Sequence, residues 1–320
     1  MDMFTLLKPG QLTSVQDLGR SGYRAFGMPM AGVMDRYAYN MSNILACNEP
    51  GAAVLEMTLV GGVLNFHSEA YLAVCGADMQ ARLNGKEIRN WSAFQVPANC
   101  ELSFGYASRG CRTYLAVYGG ISVPVVLGSR STYSRASVGG YEGRLLKAGD
   151  ILETGSYDVI PRGNKYLSNS SIPVYGSEVR LRVIPGPQDD MFSEEGLTTF
   201  FSSSYTISSR NDRMGYYLED PLVQHKNGAD IISDSLCPGS IQIPGNGMPI
   251  IMMADCQTTG GYAKLGTVIG PDLAKLAQAK QGDKVSFEQC SDAEAVAALL
   301  AERKCYEMAA VGSRYFCESK

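Results

Sequence analysis

Residues 239–272 read GSIQIPGNGMPIIMMADCQTTGGYAKLGTVIGPD and gather several groups able to do chemistry. Between the apolar runs 249–254 and 265–269 stand Asp255, Cys256, Gln257, Thr258, Thr259, Gly260, Gly261 and Tyr262, with Lys264 just beyond. An acid, an amide, two hydroxyls, a phenol and an ammonium thus meet on one stretch. The glycine pair lets backbone approach a ligand closely. The flanking runs are long enough for buried strands and too short for a capped helix. The expectation is a polar loop on a rigid scaffold, where small-molecule sites tend to be built; the plainer reading is a polar, glycine-rich hairpin.

Three further segments offer charged groups. Thr13 to Arg20, TSVQDLGR, sets Asp17 near Arg20, either as a loop-stabilising ion pair or with Arg20 free to clamp a carboxylate through its planar fork. LGSRSTY at 127–133 places Arg130 and Ser131 among glycines; an anion site and a flexible loop read equally well there. It is not a phosphate loop, because the G-x-x-x-x-G-K-[ST] order is absent. SRNDRMGY at 209–216 holds Asp212 between Arg210 and Arg213, with Met214 next to them.

The elements that must position these groups are mostly strands. Thirty-five glycines and 14 prolines punctuate short β-type runs, including 71–75, 114–118, 179–184 and 285–288. Helices are expected at 34–46, at 272–279, and from Ser291, where S-x-x-E with Glu294 makes a capping box. The halves also echo each other. Lys8-Pro9-Gly10 with Gln16-Asp17 parallels Ile184-Pro185-Gly186 with Gln188-Asp189, and Asp35-Arg36 parallels Asp212-Arg213. Pro9 precedes Asp35 by 26 residues and Pro185 precedes Asp212 by 27. We therefore expect two related β-rich domains, 1–170 and 171–320, joined by the polar stretch 163–177, with a ligand cleft between them.

Composition narrows the function classes. With 320 residues, 45% of them hydrophobic and 19% charged, the chain is an ordinary globular protein. A net charge of −4 argues against nucleic acid as the main partner. No apolar run approaches the roughly 20 residues of a membrane span, and the N-terminus lacks a signal-like pattern, so a cytoplasmic location is expected. Nine cysteines without a C-x-x-C pair are expected as reduced thiols. Two histidines, His67 and His225, stand outside any ligand motif, and no metal site is expected.

The segments TSVQDLGR, GMPxxGxMD, LE at 55–56, YLAVxGG, LGSRST, GPQ, NDRMGY, SD at 233–234 and IQIPGNGMPIIMMADCQTTGGY together resemble the biotin-dependent carboxyltransferase family. That family includes the C subunit of bacterial 5-oxoprolinase, the carboxyltransferase domain of urea amidolyase, and antagonists of a sporulation-kinase inhibitor. The resemblance covers residues 6–287 and is most specific at NDRMGY and ADCQTTGGY. It implies a mainly β chain with a few helices, built as two related cyclophilin-like β-barrel domains, acting on an amide at the inter-domain cleft.

The length favours a 5-oxoprolinase subunit, implying ATP-dependent opening of 5-oxoproline to glutamate together with sibling subunits. No cofactor is expected on this chain alone: ATP comes through the complex, and biotin, in the alternative urea-type carboxylation, in trans. A regulatory module that binds a kinase-inhibitor-like partner, and a purely structural subunit, are the rival classes.

On this basis Asp255 or Tyr262 takes the amide proton, and Lys264 and Arg20 hold a carboxylate or bicarbonate-derived group. Thr258, Thr259, Gly260 and Gly261 stabilise an oxyanion, while Gln242 and Gln257 fix orientation. Arg130, Ser131, Arg213 and Met214 complete the expected substrate contacts; Gln16, Asp17, Asp35 and Asp212 form a second tier. One departure is Ala31, where the family usually has serine before Gly32, which removes one hydrogen-bond donor.

Overall fold

The computed structural model describes residues 2–155 and 159–318, with side chains described from Met3 to Gly312 outside that gap. It is mainly β, with four α-helices among the described residues. The chain divides into two compact units. One comprises Met1–Arg20, Asp35–Tyr175 and Arg303–Lys320, the other Ser21–Met34 and Gly176–Glu302. Contiguous halves were expected, with the C-terminal helix in the second, but Ser21–Met34 joins the second unit and Arg303–Lys320 joins the first. Met34 packs in that unit's core, and the Gly32 carbonyl accepts a hydrogen bond from Arg213.

The first unit begins with β1 (Asp2–Lys8), β2 (Leu12–Gln16), β3 (Val54–Thr58), β4 (Val63–Phe66) and β5 (Ala70–Asp78). It continues with β6 (Arg82–Leu83), β7 (Lys86–Glu87), β8 (Ser92–Val96) and β9 (Cys100–Ser103). β10 (Arg109–Val117), β11 (Ile121–Ser122), β12 (Ile151–Thr154) and β13 (Lys165–Tyr166) complete it. They form two sheets, β11-β12-β1-β4-β9-β6-β7 and β13-β8-β5-β10-β3-β2. Phe4, Leu6, Leu64, Phe66 and Leu102 from the first sheet share one core with Leu55, Leu72, Val74, Leu115 and Val117 from the second. Alternating inward side chains from both sheets account for that core.

Helix α1 (Arg36–Leu45) packs on β5 and β10. It starts because Asp35 caps it, its carboxylate accepting from the Ala38 N–H at 2.9 Å. Its buried face carries Ala38, Tyr39, Met41, Ser42 and Leu45, close to the i, i+3, i+4 stripe in the sequence.

The second unit holds β14 (Glu178–Pro185), β15 (Ser204–Ile207), β16 (Gly215–Glu219), β17 (Asp230–Ser235) and β18 (Ser240–Gln242). β19 (Ile250–Met252), β20 (Thr259–Tyr262), β21 (Lys264–Val268) and β22 (Lys284–Gln289) follow. Seven of these make a closed barrel, β14-β21-β18-β19-β16-β15-β22, sealed by parallel pairing of β14 with β22. Leu181, Tyr205, Tyr216, Ile241, Ile251, Leu265 and Phe287 fill its core, where Phe200 stacks on Phe287 at 4.2 Å. β17 and β20 leave the barrel as a separate two-stranded ribbon.

Three helices belong to this part of the chain. α2 (Glu194–Ser202), capped by Ser193, has no sequence expectation behind it. α3 (Gly270–Ala277) starts two residues before the expected 272, with Pro271 in its first turn. α4 (Asp292–Glu318) starts at the expected capping box: the Ser291 N–H donates to Glu294 and the Glu294 N–H to the Ser291 hydroxyl.

Seven cysteines are free thiols, as expected, but Cys47 is disulfide-bonded, which corrects the reading of all nine as reduced. Sequence spacing excludes only local pairs, whereas a disulfide joins residues that the fold brings together. The Cys317 side chain lies outside the described ones. No described helix is long and apolar enough to cross a membrane.

Candidate active site

The ribbon is where the stretch 239–272 places its polar groups. After β19 the chain makes a turn through Asp255 and Cys256, leaves the barrel as β20, and returns as β21. β20 pairs antiparallel with β17, setting Ser235 opposite Thr259 and Asp234 opposite Gly260. Half of the expected loop is therefore strand. Ala263 ties the ribbon back to the barrel: its N–H donates to the Ala229 carbonyl and its own carbonyl accepts from Ile243.

Asp255 is buried and receives two hydrogen bonds from Arg213, at 2.9 Å from Nε and 3.0 Å from Nη2. Its N–H also donates to the Arg213 carbonyl at 2.9 Å. Asp212 is exposed and shapes the same loop, its Oδ1 accepting from the Met214 N–H at 2.7 Å and the Gly215 N–H at 3.3 Å. Met214 is half-buried, and its carbonyl accepts from the Met253 N–H, which fastens the NDRMG turn to the approach to Asp255.

Lys264 is 4% exposed and donates from Nζ to Asp234 Oδ2 at 2.5 Å and to the Ser235 carbonyl at 2.8 Å. That ammonium, followed by the Ser235 N–H, holds the Asp234 carboxyl below the usual carboxylate range. Gln188 completes the cluster: its Oε1 accepts the Lys264 N–H, and its Nε2 reaches Asp234 at 3.4 Å. Gln188 and Asp234 have no role in the sequence reading, although GPQ and SD were among its matched segments. A carboxylate 30 residues before its lysine leaves no local pattern.

Gln242 is buried, and its Nε2 donates to the Tyr262 carbonyl at 3.2 Å. A Cβ on Gly260 would lie 2.6 Å from that Nε2 and 2.8 Å from Leu236 Cδ1, so any larger residue would have to push both side-chain ends aside. Gln242 thus braces the ribbon from behind. Tyr262 is 42% exposed, Gln257 and Thr259 are exposed, and Thr258, Gly260 and Gly261 are half-buried.

The first unit assembles a different cluster. Asp17 Oδ1 accepts from the Ser129 and Ser131 hydroxyls at 2.6 Å, and its Oδ2 from the Arg130 N–H. Arg20 is fully buried, donates to the Ser131 carbonyl, and lies where a Cβ on Gly139 would stand. Its guanidinium therefore does not face solvent, unlike the open clamp expected of it. Arg130 donates to the Val123 carbonyl, and buried Gln16 reaches the Ser14 hydroxyl and the Thr132 carbonyl. Asp35, besides capping α1, receives the Tyr175 hydroxyl at 3.5 Å, and its N–H donates to the Tyr114 hydroxyl, which in turn donates to Glu56. Burial, reinforced by these carboxylates, pushes the Tyr114 and Tyr175 phenols well up. In place, then, Gln16, Asp17, Arg20, Arg130, Ser131 and Asp35 belong to the first unit, and the other candidates to the second. Among the described residues no group of three or more His, Cys, Asp or Glu could hold a metal ion.

Residues 26–289 match the family described as carboxyltransferase domain, subdomain A and B. The chain is 36% identical over 313 residues to the C subunit of 5-oxoprolinase from Escherichia coli (strain K12), covering 96% of this chain and 98% of that protein. It is 34% identical over 301 residues to the urea amidolyase of Saccharomyces cerevisiae, covering 87% of this chain and 16% of that protein. The crystal structure of Kluyveromyces lactis urea carboxylase superposes with a TM-score of 0.90 at 31% identity, over 97% of this chain and 29% of that one.

Proposed function

The chain belongs to the carboxyltransferase-domain family, subdomains A and B, and on that premise we propose that it is the C subunit of an ATP-dependent 5-oxoprolinase. Its reaction would open 5-oxoproline to glutamate. The observation that carries this reading is the 36% identity to the 5-oxoprolinase C subunit across 98% of that relative. ATP binding is assigned to a sibling subunit, because no G-x-x-x-x-G-K-[ST] segment occurs in this chain.

In this reading the ribbon carries the substrate amide. The Gly260–Gly261 backbone and the Thr258 and Thr259 hydroxyls polarise its carbonyl, as preorganised donors do without reorganising. Of the two proton-transfer candidates, Tyr262 has the open side chain, and Asp255 already accepts both arms of Arg213. We therefore assign proton transfer to Tyr262, and to Asp255 the positioning of the turn. Lys264, held by Asp234, supplies positive charge beside the ribbon without becoming mobile.

The test is glutamate release from 5-oxoproline with ATP, using the sibling subunits with and without this chain. Release that depends on the chain supports the reading, and release indifferent to it refutes it. Urea-type carboxylation is the second reading, favoured by the TM-score of 0.90 to a urea carboxylase. In it a partner presents carboxybiotin and the ribbon binds urea, so carboxybiotin-dependent urea carboxylation would be seen in its place.

A further inference from the structure

Arg24 begins a 3-10 turn, Arg24–Phe26, in the second unit. Its Nη1 and Nη2 are both shielded from solvent, and among the described residues no carboxylate bonds to either, the Cys256 thiol being a weak contact of the guanidinium. A shielded guanidinium without a charged partner is costly, and proteins normally pair it with an anion. The neighbour that senses its charge is Cys256, inside the ADCQTTGG segment. Burial pushes that thiol up to about 11, against the opposing pull of Arg24, so at neutral pH Cys256 is an uncharged thiol that does not balance the guanidinium. The preceding carboxylate, Asp255, is held by Arg213 through two bonds of its own. Among the described residues no carboxylate forms an ion pair with Arg24.

We propose that Arg24 anchors a carboxylate on the substrate, so that the site takes an amide or lactam bearing a carboxylate in preference to a neutral amide such as urea. The inference rests on the reading of the ribbon as the substrate site and deepens it. A guanidinium offers two parallel N–H groups in the geometry of a carboxylate, and such charge-assisted pairs are about twice as strong as neutral ones. 5-Oxoproline is a lactam carrying a carboxylate; urea carries none. The anion that would neutralise Arg24 therefore arrives with one of the two candidate substrates only.

The test compares wild type with Arg24→Gln and Arg24→Lys. In the complex assembled with its sibling subunits, turnover of 5-oxoproline is measured against 2-pyrrolidinone, the same lactam without the carboxylate. Arg24→Gln should lower the preference for 5-oxoproline on the order of 10²-fold, mainly through KM, with Arg24→Lys between the two. Calorimetry on the isolated full-length chain, with the same two ligands, gives a readout independent of turnover.

Unchanged 5-oxoproline binding and KM in Arg24→Gln would overturn the inference while leaving the 5-oxoprolinase reading intact. Arg24-dependent binding of 5-oxoproline in a complex that does not turn it over would refute that reading and support the inference for another anionic amide. Thermal melting separates a structural role. Removing a shielded charge without a protein anion should leave the ligand-free melting temperature equal or higher, and a fall of several degrees in Arg24→Gln, restored in Arg24→Lys, would assign Arg24 to the fold and overturn the inference.

Discussion

Asp255 and Arg213 meet through two parallel hydrogen bonds of 2.9 and 3.0 Å, and Arg213 continues to the Gly32 carbonyl. One guanidinium thereby holds the NDRMG turn, the turn before the ribbon and the 21–34 segment together. The pair is largely shielded, with side-chain exposures of 21% and 5%. Removing one partner of such a pair leaves an uncompensated charge and costs roughly 3–5 kcal/mol. Arg213→Met should lower unfolding stability by that order in urea denaturation, and the double variant Arg213→Met with Asp255→Leu should recover part of the loss. Loss that is purely additive would show that the pair is not the linchpin described.

Tyr262 supplies the complementary case. Its side chain is largely open, so Tyr262→Phe should leave stability within about 0.5 kcal/mol of wild type. Proton transfer by a positioned side chain contributes about 10²–10⁴-fold. A fall in kcat of that size in the assembled complex is expected, and an undiminished rate would remove Tyr262 from the chemistry.

Gly260 tests the bracing of the ribbon. Gly260→Ala should displace the Gln242 amide and break its bond to the Tyr262 carbonyl, since the new Cβ would lie 2.6 Å from Nε2. Overpacking of this kind costs roughly 1–3 kcal/mol. Shortening the neighbour in Gly260→Ala/Gln242→Ser should relieve the clash and restore part of the stability. No recovery in thermal melting would place the strain elsewhere.

Asp272 sets a pH dependence. Burial alone would raise its carboxyl, but Arg182, with two guanidinium bonds and an N–H, and Lys275 together hold it below the usual value. A carboxyl depressed in the folded state adds stability above its unfolded pKa of about 3.9, and that stability is lost as pH falls through the folded pKa. The loss should therefore begin near pH 4 and deepen below it. Asp272→Asn should be less stable than wild type at pH 7 and show a flatter acid limb in denaturation measured from pH 6 to 2.

Much of the scaffold was legible because its signals are local. The stripe of α1, the capping box at Ser291 and the apolar runs of β19 and β21 are read within a few residues of themselves. β17 was not legible: DIISDS is largely exposed and shows no inward alternation, because it pairs only with β20 and sends only Ile231 against the core. α2 was hidden by its shortness and by Gly196, kept small by the backbone of Gln224. Within the candidate site, residue types pointed to 255–264, but Asp234, Gln188 and the proposed anchor Arg24 take their meaning from neighbours far away in sequence. The Cys47 disulfide escaped notice for the same reason.

The parallel seam between β14 and β22 also dictates an order of events during synthesis. Glu178 pairs with Lys284 and Val183 with Gln289, so the barrel cannot close until its last strand has left the ribosome. Pairings this distant in sequence slow folding, since the loop must close before any contact rewards it. Ser21–Met34, made almost first, must wait for a unit made mostly after Tyr175. The nascent chain therefore carries an unplaced Arg24 and Met34 through most of translation, and the β17–β20 ribbon takes shape only near its end.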